Sequence, residues 1–261
     1  MVTIEIIIHE KGCGFMKYDI IGDIHGCYDE LLQLLKKLGY SMINNIPFHP
    51  DGRSIAFVGD AMDRGPNSLK TTELMFRLQD EGKLIYYPGN HCNKLYRYLK
   101  GNKIQLQYGI ETTVAELDLL SNKDKKYFTK RYIEFYDALR LYYSLDDGKL
   151  IIAHAGIREN LIGTGYSNKL RSFVLYGDIT GKTLPDGRPL RRDWAKQYNG
   201  EAFIVYGHTP VKDARFVHNT VNIDTGCVFG GKLTAVRYPE MEIVSTPSLQ
   251  PFIADRFTTF P

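Results

Sequence analysis

The sequence predicts an α/β protein with a mixed sheet, and three observations carry that expectation. Short apolar runs alternate with helix-like segments through the first part of the chain, the pattern of a sheet covered by helices. The C-terminal part changes to short β runs separated by turns. Five of the apolar runs lead straight into Gly, Asp, Asn or His, so that polar groups gather where strands end.

Taken in order, the run 18–21 stops at Gly22, and Leu31, Leu32, Leu34, Leu35 and Leu38 then make an amphipathic helix that Gly39 ends. Turn residues around Pro47, Pro50 and Asp51-Gly52 lead to a strand over 54–58. A helix over 67–81, closed by Gly82, precedes a third strand over 84–87. From about 93 to 144 the expectation is mostly helical. Phe128, Tyr132, Ile133, Phe135, Tyr136, Leu139 and Tyr143 recur at 3.6-residue spacing, as on a core-facing helix. Strands return over 149–153 and 202–206, followed by β runs over 220–223, 232–237 and 242–246. No repeat, low-complexity tract or linker divides residues 16–261, which are expected to form one domain. Residues 1–15 stand apart. Their strand-like run meets Gly12-Cys13-Gly14 before Met16, so we take them as an extension upstream of a natural start at Met16, with an edge strand as the alternative.

Composition narrows the function classes. A chain of 261 residues with 43% hydrophobic and 24% charged content can bury a full core. Its net charge of +3 makes stable nucleic-acid binding an unsuitable primary role. The basic clusters Lys94, Arg97, Lys100, Lys103 and Arg188, Arg191, Arg192 suit a smaller anion. The four cysteines are scattered, as in a reduced compartment, and no apolar run reaches the roughly 18 residues of a membrane span. The N-terminus lacks the features of a secretory signal, so the cytoplasm is the expected compartment.

The chemistry lies at the strand ends: Gly22-Asp23-Ile24-His25-Gly26, Gly59-Asp60-Ala61-Met62-Asp63-Arg64-Gly65, Gly89-Asn90-His91-Cys92, His154-Ala155-Gly156 and Gly207-His208-Thr209-Pro210. In extended backbone Asp23 and His25 face the same way, and carboxylate with imidazole is a ligand set for first-row divalent metals. If Asn90 is a metal ligand, as the resemblance given below implies, the adjacent His91 is expected to turn from the metals toward substrate. Arg64 offers a planar fork of donors for phosphoryl oxygens. Lys94, Tyr96 and Arg97 mix cations with an aromatic ring, which fits a base and a polyphosphate; a helix core face with solvated cations is the alternative.

These blocks, in this order, resemble the signatures of the calcineurin-like metallophosphoesterases. Pro88–Gly101, Arg191-Arg192-Asp193-Trp194 and Asn222–Gly230 are closest to the bacterial PrpE type, and the phosphatase module of polynucleotide kinase-phosphatases is similar too. The resemblance implies a central mixed β-sandwich flanked by α-helices. It implies two metal ions: Asp23 and His25 on the first, Asp60 bridging both, Asn90, His154 and His208 on the second. Ligands of O and N type point to manganese, nickel, iron or zinc and not to a thiolate site, with manganese or nickel the first expectation. By the same resemblance His91 is the general acid and Asp63 orients it. Asp224 matches a polar residue near the site, a turn-forming role being its alternative, and Arg158 is a weaker phosphate ligand. Cys92 departs from the Glu commoner in the broad family but is shared by the PrpE type; it and Cys27 are expected to be buried, inert thiols.

The implied reaction is cleavage of diadenosine tetraphosphate to ATP and AMP by metal-bound hydroxide. A protein phosphatase for phosphoserine, phosphothreonine or phosphotyrosine is the first alternative, since the same site serves both. Polynucleotide end-processing is weakened by the small net charge. A catalytically inactive nucleotide-binding module is the alternative of another class, opposed by the complete set of ligand-type residues.

Overall fold

The central strands are largely apolar because both of their faces are covered, and this sets the layers. In the computed structural model, which describes residues 16–184 and 187–260, two five-stranded sheets pack face to face. The 1–15 extension lies outside the described residues.

The strands are β1 (Tyr18–Ile21), β2 (Ser41–Ile43), β3 (Ile46–Phe48), β4 (Ser54–Phe57), β5 (Ile85–Tyr86), β6 (Tyr142–Leu145), β7 (Leu150–Ala153), β8 (Ile179–Thr183), β9 (Pro189–Arg191), β10 (Phe203–Tyr206), β11 (Arg215–Val217), β12 (Thr220–Asn222), β13 (Lys232–Tyr238) and β14 (Glu242–Pro247). One sheet has the order β14-β13-β1-β4-β5 and the other β11-β12-β10-β7-β6; β2–β3 and β8–β9 are separate pairs. β1, β4 and β5 run parallel, as do β7, β10 and β12, while β13 joins β1 antiparallel.

Successive residues of a strand point to opposite faces. Ile20, Ala56, Ile152 and Val205 therefore meet between the sheets, in a layer that also holds Val58, Val221 and Val236. Ile21 and Phe57 face the other way, onto the helices α1 (Tyr28–Lys37), α2 (Ser68–Asp80), α3 (Asn90–Leu99), α4 (Ile110–Asp118) and α5 (Asn122–Asp137). Ile151 and Ile204 face α6 (Asn168–Tyr176) and Trp194. Among the described residues no helix is long and apolar enough to cross a membrane.

The expected helical stretch over 93–144 breaks in two places. Residues 100–109 form a loop between α3 and α4, and α5 stops at Asp137. Phe128, Tyr132 and Phe135 are buried on one face of α5 as the spacing requires, but Tyr143 belongs to β6 and sets its ring against Tyr87 at 5.6 Å. Aromatic residues favour half-buried strands as much as helix faces, so ring spacing alone could not separate the two. The pairs β2–β3 and β8–β9, the helix α6 and the edge strand β11 also had no strong apolar signal.

β1 carries one buried charge, Asp19, which is fully shielded from solvent. Tyr40 Oη donates to it at 2.9 Å, Arg53 Nε at 3.0 Å and Arg237 Nε at 3.2 Å. Arg53 is itself buried and reaches Glu240, which ties the strand β1 to the β13–β14 connection. Three donors on one carboxylate make this burial tolerable.

Candidate active site

All five motif loops meet at one end of the sandwich. They are bound to one another by backbone hydrogen bonds, His25 N to Asp60 O at 2.8 Å and Gly207 N to His154 O at 2.7 Å. The convergence uses unusual backbone. His25, Asp60, Asp63, Arg64 and His208 all have φ between +42° and +76°. Such conformations cost about 1–3 kcal/mol each and persist where the surroundings over-determine them. His25 thus reaches the site through a left-handed turn and not through the strand alternation expected for Asp23 and His25.

Asp60 is the hub. Its carboxylate belongs to two groups of ligand-type atoms lying within 4.8 Å of one another, His25–Asp60–His91 and Asp60–His154–His208. His91 N, in the first turn of α3, donates to Asp60 Oδ1 at 3.1 Å. A side chain at residue 89 would stand 2.0 Å from that same oxygen, so only glycine fits there. A Cβ at residue 207 would stand 2.1 Å from Asp23 Oδ1, which makes Gly207 the cradle of the second carboxylate.

The imidazoles are oriented as metal ligands would be. His25 Nδ1–H donates to Met62 O at 3.0 Å and His154 Nδ1–H to Val58 O at 3.1 Å, leaving each Nε2 facing the centre. A backbone carbonyl on the far nitrogen is how proteins orient metal-binding histidines. His154 Nε2 lies 3.3 Å from Asn90 Oδ1 and 3.1 Å from His208 Nδ1. Asp23 Oδ2 accepts His208 N at 3.0 Å, while Asp23 Oδ1 and His208 Nε2 are buried with no partner. Orphaned buried donors and acceptors of this kind mark a place for an ion.

Electrostatics agree. Burial, then the neighbouring Asp224, pushes the Asp23 carboxyl well above the usual range. Burial would raise Asp60 as well, yet His154, His91 and His25 hold it well below. Burial would lower His154, but Asp60 and Asp23 override it and push it up to about 9. His25 is held well below its ordinary value by burial and His91, and His208 by burial and Arg191. Burial raises Asp224 to about 6. Buried carboxylates beside imidazoles, of which His25 and His208 are held neutral, form a site that calls for cations, and the donor set fits divalent transition metals.

His91 sits beside this centre, and its ring stands perpendicular to that of His25 at 4.8 Å. It is not turned from the ligands as expected, because Asn90 and His91 open a helix in which neighbours lie about 100° apart, not on opposite faces. His91 Nδ1–H donates to Asp63 Oδ2 at 2.8 Å, and Arg64 Nη2 donates to His91 Nε2 at 3.0 Å. Asp63 is fully buried; Thr113 Oγ1 donates to its other oxygen at 2.5 Å.

The remaining candidates separate. Asp224 is buried with the metal-type carboxylates, where Arg64 and His154 act on its charge. Lys94 bonds the Gln107 carbonyl and feels the charges of Asp63, Glu111 and Arg64 at the His91 side. Tyr96 is stacked on Tyr136 at 4.3 Å and donates to Asp137, beside a cavity of about 530 Å³; Arg97 is exposed. Arg158 is paired with Asp178 at 2.5 Å and packs over Phe173. Cys92 is buried against Tyr86 and Asp60, and burial raises its thiol strongly; the hydrogen bond with Cys227, and then burial, do the same for Cys27. Two further arginines bear on the site. Arg191 acts on His208, and Arg256 approaches Arg64 from the C-terminal segment.

The calcineurin-like phosphoesterase model matches residues 16–241, which span all five loops. The chain belongs to the calcineurin-like phosphoesterases. A relative from Anoxybacillus flavithermus (strain DSM 21510 / WK1), named bis(5'-nucleosyl)-tetraphosphatase PrpE [asymmetrical], is 57% identical over 94% of this chain and 100% of its own. One from Bacillus subtilis (strain 168) with the same name is 54% identical over 93% and 99%. Among solved structures, a protein serine/threonine phosphatase from Saccharomyces cerevisiae shares the phosphoesterase fold, with TM-score 0.56 at 14% identity over 92% of this chain and 82% of that one.

Proposed function

We propose that this phosphoesterase hydrolyses diadenosine tetraphosphate to ATP and AMP at a two-ion centre. The observation that carries the reading is Asp60 standing in both ligand groups, with the Asp63–His91 pair against one of them. The substrate class is supported by relatives that bear that activity in their names across their full length.

Asp23 and His25 would hold one ion, Asn90, His154 and His208 the other, with Asp60 between; these O and N donors suit manganese or nickel, our first choice, as well as iron or zinc. Two bound divalent ions neutralise phosphate charge and acidify a water at neutral pH. Arg64 presents its fork to the phosphoryl oxygens, and leaving His91 Nε2 for that anion frees the nitrogen. The freed Nε2 takes up a proton from solvent, and His91 delivers it to the departing oxygen while Asp63 holds Nδ1–H. Asp224 adds a buried negative charge that strengthens the pull on the ions. Lys94 supports the anion from α3; Tyr96 and Arg97 would act further out, and Arg158 would act only on release from Asp178. The scattered cysteines fit a reduced compartment, and we place the enzyme in the cytoplasm.

The test is a product assay with added manganese or nickel, beside a phosphopeptide panel at equal enzyme. ATP plus AMP at kcat/KM of about 10⁴ M⁻¹s⁻¹ or more is expected. Two ADP would refute the asymmetric cut. Phosphopeptide release without nucleotide turnover would replace the reading with a protein phosphatase.

A further inference from the structure

The C-terminal segment closes over the His91 side of the site. Ile253 N donates to Phe229 O at 3.0 Å and Thr258 N to Pro210 O at 2.7 Å, two residues past His208. Glu30 anchors the segment's start by accepting Leu249 N at 3.0 Å and Gln250 Nε2 at 3.1 Å. The packing is close: a Cβ at residue 226 would stand 2.6 Å from the Phe257 ring, and one at residue 230 would stand 2.3 Å from Phe252 Cα.

This path brings a second guanidinium to the first. Arg64 Cζ lies 5.2 Å from the Phe229 ring centroid, and Arg256 Cζ lies 5.5 Å from the same centroid. Arg64 Nε is buried with no hydrogen-bond partner, and Arg256 stands exposed at the rim. Besides burial, the charge of Arg256 is among the influences that lower Arg64. Two cations sharing one ring repel, and the ring recovers only part of that cost. A polyanion laid along both would remove the repulsion and supply the absent partner.

We propose that Arg256, sharing the Phe229 ring with Arg64, forms a subsite for the polyphosphate chain of the leaving nucleotide. The inference rests on the proposed diadenosine tetraphosphatase reading. Arg64 touches His91 Nε2, the atom that meets the departing oxygen, so the chain from Arg64 to Arg256 extends on the leaving-group side. Added positive charge there favours the more highly charged leaving group, ATP. Water, having released a proton to solvent, bonds through its oxygen to the α-phosphorus of one adenylate, and the bond from that phosphorus to its bridging oxygen breaks. The bridging oxygen leaves on ATP with the proton from His91, and the adenylate departs as AMP.

The experiment compares wild type with Arg256→Ala and Arg256→Lys on diadenosine tetraphosphate and on p-nitrophenyl phosphate, in excess manganese. The ratio of kcat/KM for the dinucleotide to that for the monoester is expected to fall about tenfold in Arg256→Ala and to recover in part in Arg256→Lys. Inhibition of monoester turnover by inorganic tripolyphosphate weakens by a similar factor. Wild-type cleavage in ¹⁸O water places the label in AMP. An unchanged ratio with unchanged tripolyphosphate inhibition overturns the subsite, and label in ATP overturns the leaving-group assignment. If wild type cleaves the monoester but not the dinucleotide, the functional reading fails, and the tripolyphosphate comparison alone decides the subsite.

Discussion

Asp63→Asn is the most informative change in the proposed acid machinery. The substitution keeps shape, and Thr113 Oγ1 can still donate to the remaining side-chain oxygen, as it does at 2.5 Å in the parent. That orientation turns the new NH₂ group toward His91 Nδ1, which in the parent donates at 2.8 Å. Two donors cannot face each other, so the imidazole proton moves to Nε2. There it meets the Arg64 guanidinium, which donates to that nitrogen at 3.0 Å. The conflict is displaced, not relieved. Losing a hydrogen bond to a charged group costs about 1.5–3 kcal/mol, or roughly 10- to 150-fold. The neutral Nε2–H tautomer is also a far weaker acid than the imidazolium that Asp63 supports, which forfeits part of the general-acid contribution, itself about 10²–10⁴-fold. We expect kcat to fall about 10²–10³-fold with KM nearly unchanged. The assay compares phenyl phosphate, whose leaving group has a pKa near 10, with the better leaving group of p-nitrophenyl phosphate. The loss should be greater for phenyl phosphate, because only a poor leaving group needs the proton. Equal losses on both esters, or a fall under threefold, would refute the acid role of the pair.

Two further outcomes follow from the buried charges. In metal-free protein His154 is raised to about 9, so its stabilising contribution is full below pH 6.5 and lost as pH rises through 9; this is worth about 3 kcal/mol. Asp224, raised to about 6, acts with the same sign at lower pH, between its ordinary range and 6. The melting temperature of metal-free protein should therefore fall from pH 6.5 to 9, and manganese should flatten the slope; a flat metal-free profile would contradict the cation deficit. Arg53→Met strips donors from the fully buried Asp19 and should cost about 3–5 kcal/mol in denaturant unfolding, with a loss under 1 kcal/mol counting against that pairing.

What could be foreseen follows from how each feature is encoded. The loops were legible because each is local: an apolar run buried on both faces, then a small residue, then a polar one, as at Phe57 to Asp60. The positions where a Cβ would strike Asp60 or Asp23 show why glycine stands at 89 and 207, but that contact is made between chain segments far apart. The bond from Thr113 to Asp63 spans fifty residues and had no signal in either motif. Arg256 was hidden for the same reason, since it meets Arg64 only after the tail folds back across the Gly226–Gly231 turn. Tyr143 misled because its spacing continued the α5 pattern past the helix end.

The account rests on Asp60 serving two ions at once, and native mass spectrometry of the manganese-loaded protein addresses that directly. Wild type should carry two ions per chain and Asp60→Asn at most one. A single ion in wild type at saturating manganese, or two retained in Asp60→Asn, would contradict the shared-carboxylate centre.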